Sequence, residues 1–471
     1  MTPIIIAILL LGYVLLATEK LTNVNKAAVA IFVGTVGWML YVAYGRDYVM
    51  SQHADAFAVF LHGGEATGAA VKQFIAQNIF IKYVGRAAEI VMFLLATMTI
   101  VEILQNNGCF DFLTQLMRTR SSKRLLWTMT LTTFIVSANL DNLTTTVMML
   151  TILRGIVKTR RQRMVLGSAI VLAANCGGAL TVIGDPAGIV LWNSEAVTAT
   201  RFSLSMALPC LAACAIPVWW LGRSLPERVE TAWITMPYRG DDTNLNVWQR
   251  LLMLCVGIGG LWFIPTFHNI TKLSPFIGAL CVLSVLWIVN EIMNRRLMNT
   301  DEMIQRRIPR VLQYGVIQMM LFVMGVMMVA GVVKETGAVA ECMDFLDRQG
   351  ILTDSGSGLW GVGLVAGLVS TVVDNFASAM TFFSLHDVSV QEYIGQSLQA
   401  PVWNGFVQNG DYWKVISYAV MAGGNVLCIG SMSGLALMKA EGLSFGWYFR
   451  NVGVAALVGG LAGYGLLYFT V

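Results

Sequence analysis

The 471-residue chain is 56% hydrophobic and only 12% charged, about half the charged share of a soluble protein, which excludes a soluble globular domain. Its net charge of +4 is spread through short basic loops between apolar runs, so it reports orientation and gives no sign of a nucleic-acid partner. In chain order, apolar stretches lie near 3 to 18, 27 to 45, 87 to 105, 205 to 222, 248 to 268, 274 to 289, 313 to 334 and 446 to 470. Most have the roughly 17 to 25 residues needed to cross a hydrocarbon core as helices, and the shortest need tilt or local bilayer thinning. The first has no lysine or arginine before it and Lys20 after it, the reverse of a secretory signal, and reads as a retained span. Residues 46 to 86 read as an extracytoplasmic connection with an amphipathic helix over 67 to 81, and 292 to 311 and 334 to 349 as helices along the interface. Cys176, Cys210, Cys214, Cys255, Cys281 and Cys428 fall in predicted spans without metal-ligand or disulfide spacing, and read as small buried apolar residues. Trp219, Trp220 and Trp447 read as lipid-facing or interfacial anchors, and Lys334 with Glu335 as an interfacial pair.

Two apolar segments carry an aspartate-asparagine pair. The segment 125 to 157 holds Ser137-Ala-Asn-Leu-Asp141-Asn142-Leu-Thr-Thr-Thr146 at its centre. Arg118, Arg120, Lys123 and Arg124 precede it, and Lys158, Arg160, Arg161 and Arg163 follow. One crossing would leave a basic cluster outside, against the positive-inside tendency. A re-entrant hairpin resolves this, because arms of roughly 14 helical residues reach about 21 Å, past the middle of a ~30 Å core. The second segment, 357 to 385, holds Ser370-Thr-Val-Val-Asp374-Asn375-Phe-Ala-Ser-Ala379 between flanks in which basic residues are nearly absent, so its hairpin is expected to enter from outside. The loop from 290 to 312, with Arg295, Arg296, Arg306, Arg307 and Arg310, is expected in the cytoplasm.

A glycine-rich break follows each pair. Gly177-Gly178-Ala-Leu-Thr-Val-Ile-Gly184-Asp-Pro-Ala-Gly188 aligns without a gap with Gly423-Gly424-Asn-Val-Leu-Cys-Ile-Gly430-Ser-Met-Ser-Gly434, setting Asp185 opposite Ser431. The aspartates are 233 residues apart and the glycine breaks 246, a difference absorbed by the longer linker 386 to 412. The expected fold class is an all-α polytopic membrane protein, an inverted-repeat transporter with about ten full transmembrane helices, two re-entrant hairpins and two discontinuous helices. Residues 1–222 form the first repeat, with its hairpin at 125–157 from the cytoplasm and its broken helix at 164–192. Residues 223–247 form a cytoplasmic linker, and 248–471 the second repeat, with hairpin 357–385 and broken helix 413–438. Both termini then lie outside.

An ionised carboxylate near a bilayer centre costs at least ~2.5 kcal/mol on insertion scales, so a duplicated one calls for a function. Moving a cation is the simplest. Sodium and lithium take oxygen ligands from carboxylates, amides, hydroxyls and unwound carbonyls. The candidates are Asn139, Asp141, Asn142, Thr144, Thr145, Asn175, Thr181 and Asp185 from the first half, and Asp374, Asn375, Ser378, Asn425, Ser431 and Ser433 from the second. Gly177, Gly178, Gly184, Gly188, Gly423, Gly424, Gly430 and Gly434 let the chain leave helical geometry, although glycine pairs also serve close packing alone. Protons and cations compete for a buried carboxylate, which is sufficient for antiport. Asp141 and Asp374 are expected to hold Na+ or Li+ or to carry protons, with Asp185 a third member. The alternative for each is a cap on a half-helix N-terminus. Glu89 and Glu102 stand near the two ends of the span 87 to 105, and Glu102 is a candidate proton relay.

The run from Ser137 to Thr146, Val373-Asp-Asn375, the two glycine breaks and Glu102 in Thr99-Ile-Val-Glu-Ile-Leu104 resemble the NhaD-type sodium/proton antiporters of the ion transporter superfamily. The resemblance covers nearly the whole chain. It implies exchange of Na+ or Li+ for H+ across a bacterial inner membrane, a homodimer of scaffold and transport parts, no cofactor beyond the transported ions, and functional weight on Asp141, Asn142, Thr144, Asp185, Asp374, Asn375 and Ser431. This chain departs from the family at Asp374-Asn-Phe-Ala, where relatives favour Asp-Asn-Val-Pro, and at the Pro-Ala after Asp185. The runner-up is a sodium-coupled dicarboxylate or other anion carrier of the same architecture, whose hairpins typically carry Ser-Asn-Thr where this chain has aspartate. An arsenite-type permease lacks support from any thiol site. An intramembrane aspartyl protease would use two carboxylates sharing a proton. Leu140 stands where its tyrosine would precede the first aspartate, and Asp374 would have no task, so no enzyme is expected.

Overall fold

The computed structural model describes residues 7–8, 11–12, 14–16, 18, 24–229, 245–294, 315–337, 357–388 and 405–471. Half of the expected first span, most of the interfacial helices expected over 292 to 311 and 334 to 349, and most of the linker 223–247 lie outside these residues. Among the described residues the chain is helical, with one isolated bridge between Ser121 and Arg228 that ties the start of the linker to the start of the first hairpin. Eight described helices are long and apolar enough to cross a membrane. The protein is a multi-pass, all-α membrane protein.

The first long helix, α1 (Lys26–Gln52), starts at Asn25, whose side chain accepts from the Ala27 N–H. After a short helix at Ala54–Leu61, the chain caps a new start with Thr67 and runs through Gly68–Phe74 and a π turn at Ile75–Phe80 into α2 (Ile81–Asn106). The helix expected over 67 to 81 is therefore continuous with the span expected at 87 to 105. Ile75 and Ile79 are buried and no proline interrupts the run, so packing carries the helix on. A short helix at Asp111–Leu116 leads to the first hairpin.

The hairpin comprises α3 (Ser122–Asn139) and α4 (Asn142–Ile156), and the broken helix comprises α5 (Arg160–Leu180) and α6 (Pro186–Asn193), followed by α7 (Ala199–Leu221). The second half opens with α8 (Val247–Thr271), α9 (Pro275–Met293) and α10 (Gly315–Glu335). It then repeats the pattern with α11 (Ser357–Val372), α12 (Asn375–Phe383), α13 (Asp411–Val426), α14 (Met432–Glu441) and α15 (Val454–Thr470).

These helices sort into two groups. In the smaller, α1 packs along α10, α10 along α2, α2 along α9 and α9 along α8. The larger joins α3 to α5, α11 to α13 and α7 to α15, with α5 and α13 each also against the closing helix of its own half. Contacts between the groups include α10 with α12 and α2 with α6. In each half the leading helices enter the smaller group, and the hairpin, broken helix and closing helix enter the larger. Helices α8 and α9 turn most of their surface outward, exposing Trp262, Phe263, Ile288 and Ile292 as lipid-facing residues would be. Cys255 and Cys281 lie exposed on these helices, against the expectation of burial, whereas Cys176, Cys210, Cys214 and Cys428 are buried as expected.

Candidate functional site

Four half-helices in the larger group begin at polar caps. Asp141 caps α4, accepting through Oδ1 from the N–H groups of Leu143 at 2.8 Å and Thr144 at 3.0 Å. Asp374 caps α12 through Oδ1 from Phe376 N–H at 3.0 Å. Asp185 caps α6 through Oδ1 from Ala187 N–H at 2.9 Å, with Pro186 filling the first helical position where no N–H is needed. Ser431 caps α14 through Oγ from Gly434 N–H at 3.1 Å. Each capping residue leaves helical geometry, so its side chain can turn back to the orphan N–H groups of the next helix. Capping engages only Oδ1 of each aspartate.

The two halves repeat their packing atom for atom. Ser137 Oγ donates to the Ala174 carbonyl at 2.6 Å, and Ser370 Oγ to the Val420 carbonyl at 2.6 Å, fastening each hairpin to its neighbouring broken helix. A Cβ at Gly177 would collide with the Phe134 carbonyl, and one at Gly423 with the Gly367 carbonyl. A Cβ at Gly178 would lie 2.7 Å from the Gly184 carbonyl oxygen, and one at Gly424 2.9 Å from that of Gly430. Gly184 and Gly430 in turn crowd the carbonyls of Ser137 and Ser370, and Gly188 and Gly434 those of Val182 and Cys428. All eight glycines permit backbone to approach backbone.

Asp185 joins the hairpins. Its Oδ2 accepts from Asn142 Nδ2 at 2.9 Å and from Asn375 Nδ2 at 3.4 Å. A carboxylate can only accept here, which fixes both amide orientations. A small cavity is lined by Asp185, Thr181, Asn375 and Ser417. Asp141, Asp374 and Asp185 are all buried, and neither Asp141 Oδ2 nor Asp374 Oδ2 has a hydrogen-bond donor among the described residues.

Other candidates stand close by. Asn175 Nδ2 donates to Asn425 Oδ1 at 2.8 Å and to Ser431 Oγ at 3.0 Å, leaving its buried Oδ1 without a donor among the described residues. Ser433 Oγ donates to the Asn142 carbonyl at 3.2 Å, so the second broken helix touches the first hairpin. Thr181 Oγ1 donates to the Ala138 carbonyl at 2.6 Å and accepts from Gly184 N–H, bracing the break. Ser378 and Thr145 are buried with hydroxyls that have no hydrogen-bond partner among the described residues, and Thr144 meets Asp141 through its backbone N–H.

Two candidates face elsewhere. Asn139 accepts from Trp262 Nε1 of α8 and donates to the Ile135 carbonyl, away from Asp185. Glu102 accepts from Asn106 one turn on, within α2. Lys334 and Glu335 do not pair with each other, because Lys334 binds Asp387 while Glu335 turns inward. There it accepts from Tyr83 OH at 2.7 Å and Tyr41 OH at 3.4 Å and meets His53 Nε2 at 2.7 Å. Glu89, on the smaller group, accepts from Asn193 at the end of α6 and from Ser274.

Sequence reasoning missed Lys26. Its Nζ lies 3.6 Å from Asp374 Oδ2, and both side chains are buried. The available signal was a lysine at the first position of an apolar helix, where the helix dipole opposes a cation.

Sodium/proton antiporter 2 of Arabidopsis thaliana is 28% identical over 461 residues, covering 96% of each chain. Sodium/proton antiporter 1 of the same plant is 31% identical over 387 residues, covering 80% of this chain, which spans 61% of that relative's length. The Na(+)/H(+) antiporter NhaD of Alkalimonas amylolytica is 23% identical over 470 residues, covering 94% of this chain and 84% of the relative. The profile of the CitMHS family, described as citrate transporter, matches residues 7–403, and the chain belongs to that family.

Proposed function

We propose that this protein exchanges Na+ or Li+ for H+ across a membrane by alternating access, with Asp141, Asp185 and Asp374 at the centre of the site. The observation that carries this reading is Asp185 Oδ2 held by amides from both hairpins, beside two buried aspartates whose Oδ2 atoms lack hydrogen-bond donors among the described residues. Those oxygen atoms are ligands for a hard monovalent cation and acceptors for a proton, and the two compete for them. Asn142, Asn175, Asn375, Asn425, Thr181, Ser431 and Ser433 shape the site. The names of the antiporter relatives support the same chemistry. The inverted order of the two halves, entry of the hairpins from opposite faces, a homodimer and a bacterial inner membrane belong to this proposal. The relatives come from plants and bacteria alike.

The family's description favours a second reading, citrate or dicarboxylate transport. Four converging helix N-termini form the environment a carboxylate ligand seeks. Here, however, three of them already hold an aspartate of the chain itself, and the added negative charge opposes an anionic substrate. In everted vesicles or proteoliposomes, adding Na+ or Li+ should dissipate an imposed proton gradient, and Asp141→Asn or Asp374→Asn should abolish the response. Full activity in both variants sinks the assignment, and uptake of labelled citrate instead establishes the second reading.

A further inference from the structure

Lys26 and Asp374 form a buried ion pair whose partners come from different groups of helices. Lys26 opens α1 in the smaller group, and Asp374 caps α12 in the larger. Such a pair is expensive to bury, and its attraction offsets the desolvation only where the geometry is good. The geometry here is loose. At 3.6 Å the separation exceeds the roughly 2.7–2.9 Å of a charge-assisted hydrogen bond, and neither Nζ nor Oδ2 has a hydrogen-bond partner among the described residues. The lysine also sits at the positive end of its own helix dipole, a local conflict of the kind found at functional positions. Neither feature suits a pair built for stability.

The first half differs. Asp141 Oδ2, the counterpart of Asp374 Oδ2, has no ion-pair partner among the described residues. If each helix N-terminus contributes roughly half a positive charge, four of them leave three carboxylates with a deficit of about one unit. The Lys26 ammonium supplies that unit. A monovalent cation carries the same charge, so either can balance the site.

We propose that Lys26 is a tethered cation that sits on the Asp374 carboxylate while the site is free of ion and competes there with the transported cation. The proposal depends on the exchange reading above. Binding of Na+ near Asp374 requires the ammonium to withdraw, and departure of the ion lets it return, so the site never carries an unbalanced carboxylate. Because Lys26 belongs to the smaller group, occupancy of the site also sets whether the two groups are held together at this point.

The experiment measures the apparent KM for Na+ in proteoliposomes at alkaline pH, where protons compete least, for the wild type, Lys26→Met, Lys26→Arg and Asp141→Asn. Exchange by the wild type and its loss in Asp141→Asn establish the underlying reading, and failure of either overturns that reading. Given both, Lys26→Met should retain exchange with KM lowered roughly tenfold, the size expected when a like charge is removed from within a few ångströms. Lys26→Arg should stay within about twofold of the wild type, because it keeps the charge. An unchanged KM in a folded, active Lys26→Met makes the pair structural and overturns the proposal. So does an equal shift in the arginine variant, or loss of exchange in the neutral variant while the arginine variant works. If Lys26→Met fails to fold, Lys26→Gln removes the same charge while keeping a donor for Asp374, and is read in the same way.

Discussion

At the scale of single residues, the site divides each aspartate into two oxygens with different tasks. Oδ1 is committed to backbone N–H groups at the start of a half-helix, a role that Asp374 shares with Asn375 Oδ1 at the Phe376 N–H, and Oδ2 takes no part in capping. Capping and ion chemistry, which compete as explanations for an intramembrane aspartate in the sequence, are therefore both served by the same side chain. Asp185 goes further, since its Oδ2 is the point where the two hairpins meet. The two amides are unequal, with Asn142 at 2.9 Å and Asn375 at 3.4 Å. A hydrogen bond to a charged group contributes about 1.5–3 kcal/mol, and one stretched to the longer distance contributes less. Asn142→Ala should slow Na+-driven proton release in proteoliposomes by roughly tenfold to a hundredfold, by conversion of that range. Asn375→Ala should cost clearly less. An equal loss in the two variants, with both folded, would show that the amides do not act through Asp185.

At the scale of elements, the break in each helix depends on glycine for the approach of one backbone to another. Gly177 and Gly423 each sit against a carbonyl of the hairpin's first arm, and a methyl group there has nowhere to go without parting the helices. Gly177→Ala and Gly423→Ala should each destabilise the protein by about 1–3 kcal/mol or more and abolish exchange, read as a lower melting temperature in detergent and loss of flux. Gly85→Ala is the control, since open space surrounds that position in α2 and alanine should stabilise the helix by up to about 1 kcal/mol. Equal tolerance at all three would mean that the close approach is not required. The equivalence of these glycines was legible in the sequence, because an ungapped pattern of glycines at matched spacing records where backbones must touch. The aspartate-asparagine pairs were legible for a similar reason, as charge inside an apolar run is too costly to be incidental. Lys26 was not, because a lysine near the start of an apolar helix looks like an ordinary interfacial residue until the fold brings Asp374 to it. Glu335 was misread on the same ground. Its partners Tyr41, His53 and Tyr83 come from distant segments, and no local pattern announces their convergence.

At the scale of the whole molecule, the two groups of helices do not coincide with the two halves of the sequence. Each half divides between both groups, so the halves interleave, and the candidate site sits where the hairpins and broken helices of both halves meet. Within each group the helices pack along their lengths, and between the groups several of the observed links are single polar contacts: Lys26 with Asp374, Asn139 with Trp262, and Asn193 with Glu89 and Ser274. Neutral contacts of that kind break and reform at small cost compared with a packed helix face, and the buried Lys26–Asp374 pair can part where another cation replaces the ammonium. Alternating access should then occur by displacement of one group against the other, with little rearrangement inside either. Ser274 Oγ lies 2.8 Å from Asn193 Oδ1 across the boundary. In a background with the native cysteines replaced, oxidising Asn193→Cys with Ser274→Cys should stop exchange, and reduction should restore it. The matching control lies inside the smaller group, where Asn294 Nδ2 donates to Asn107 Oδ1 at 3.0 Å. Cross-linking Asn107→Cys with Asn294→Cys should leave most exchange intact. Exchange that survives the first cross-link would place the moving boundary somewhere other than between these two groups, and arrest by the second would mean that the smaller group itself must deform during transport.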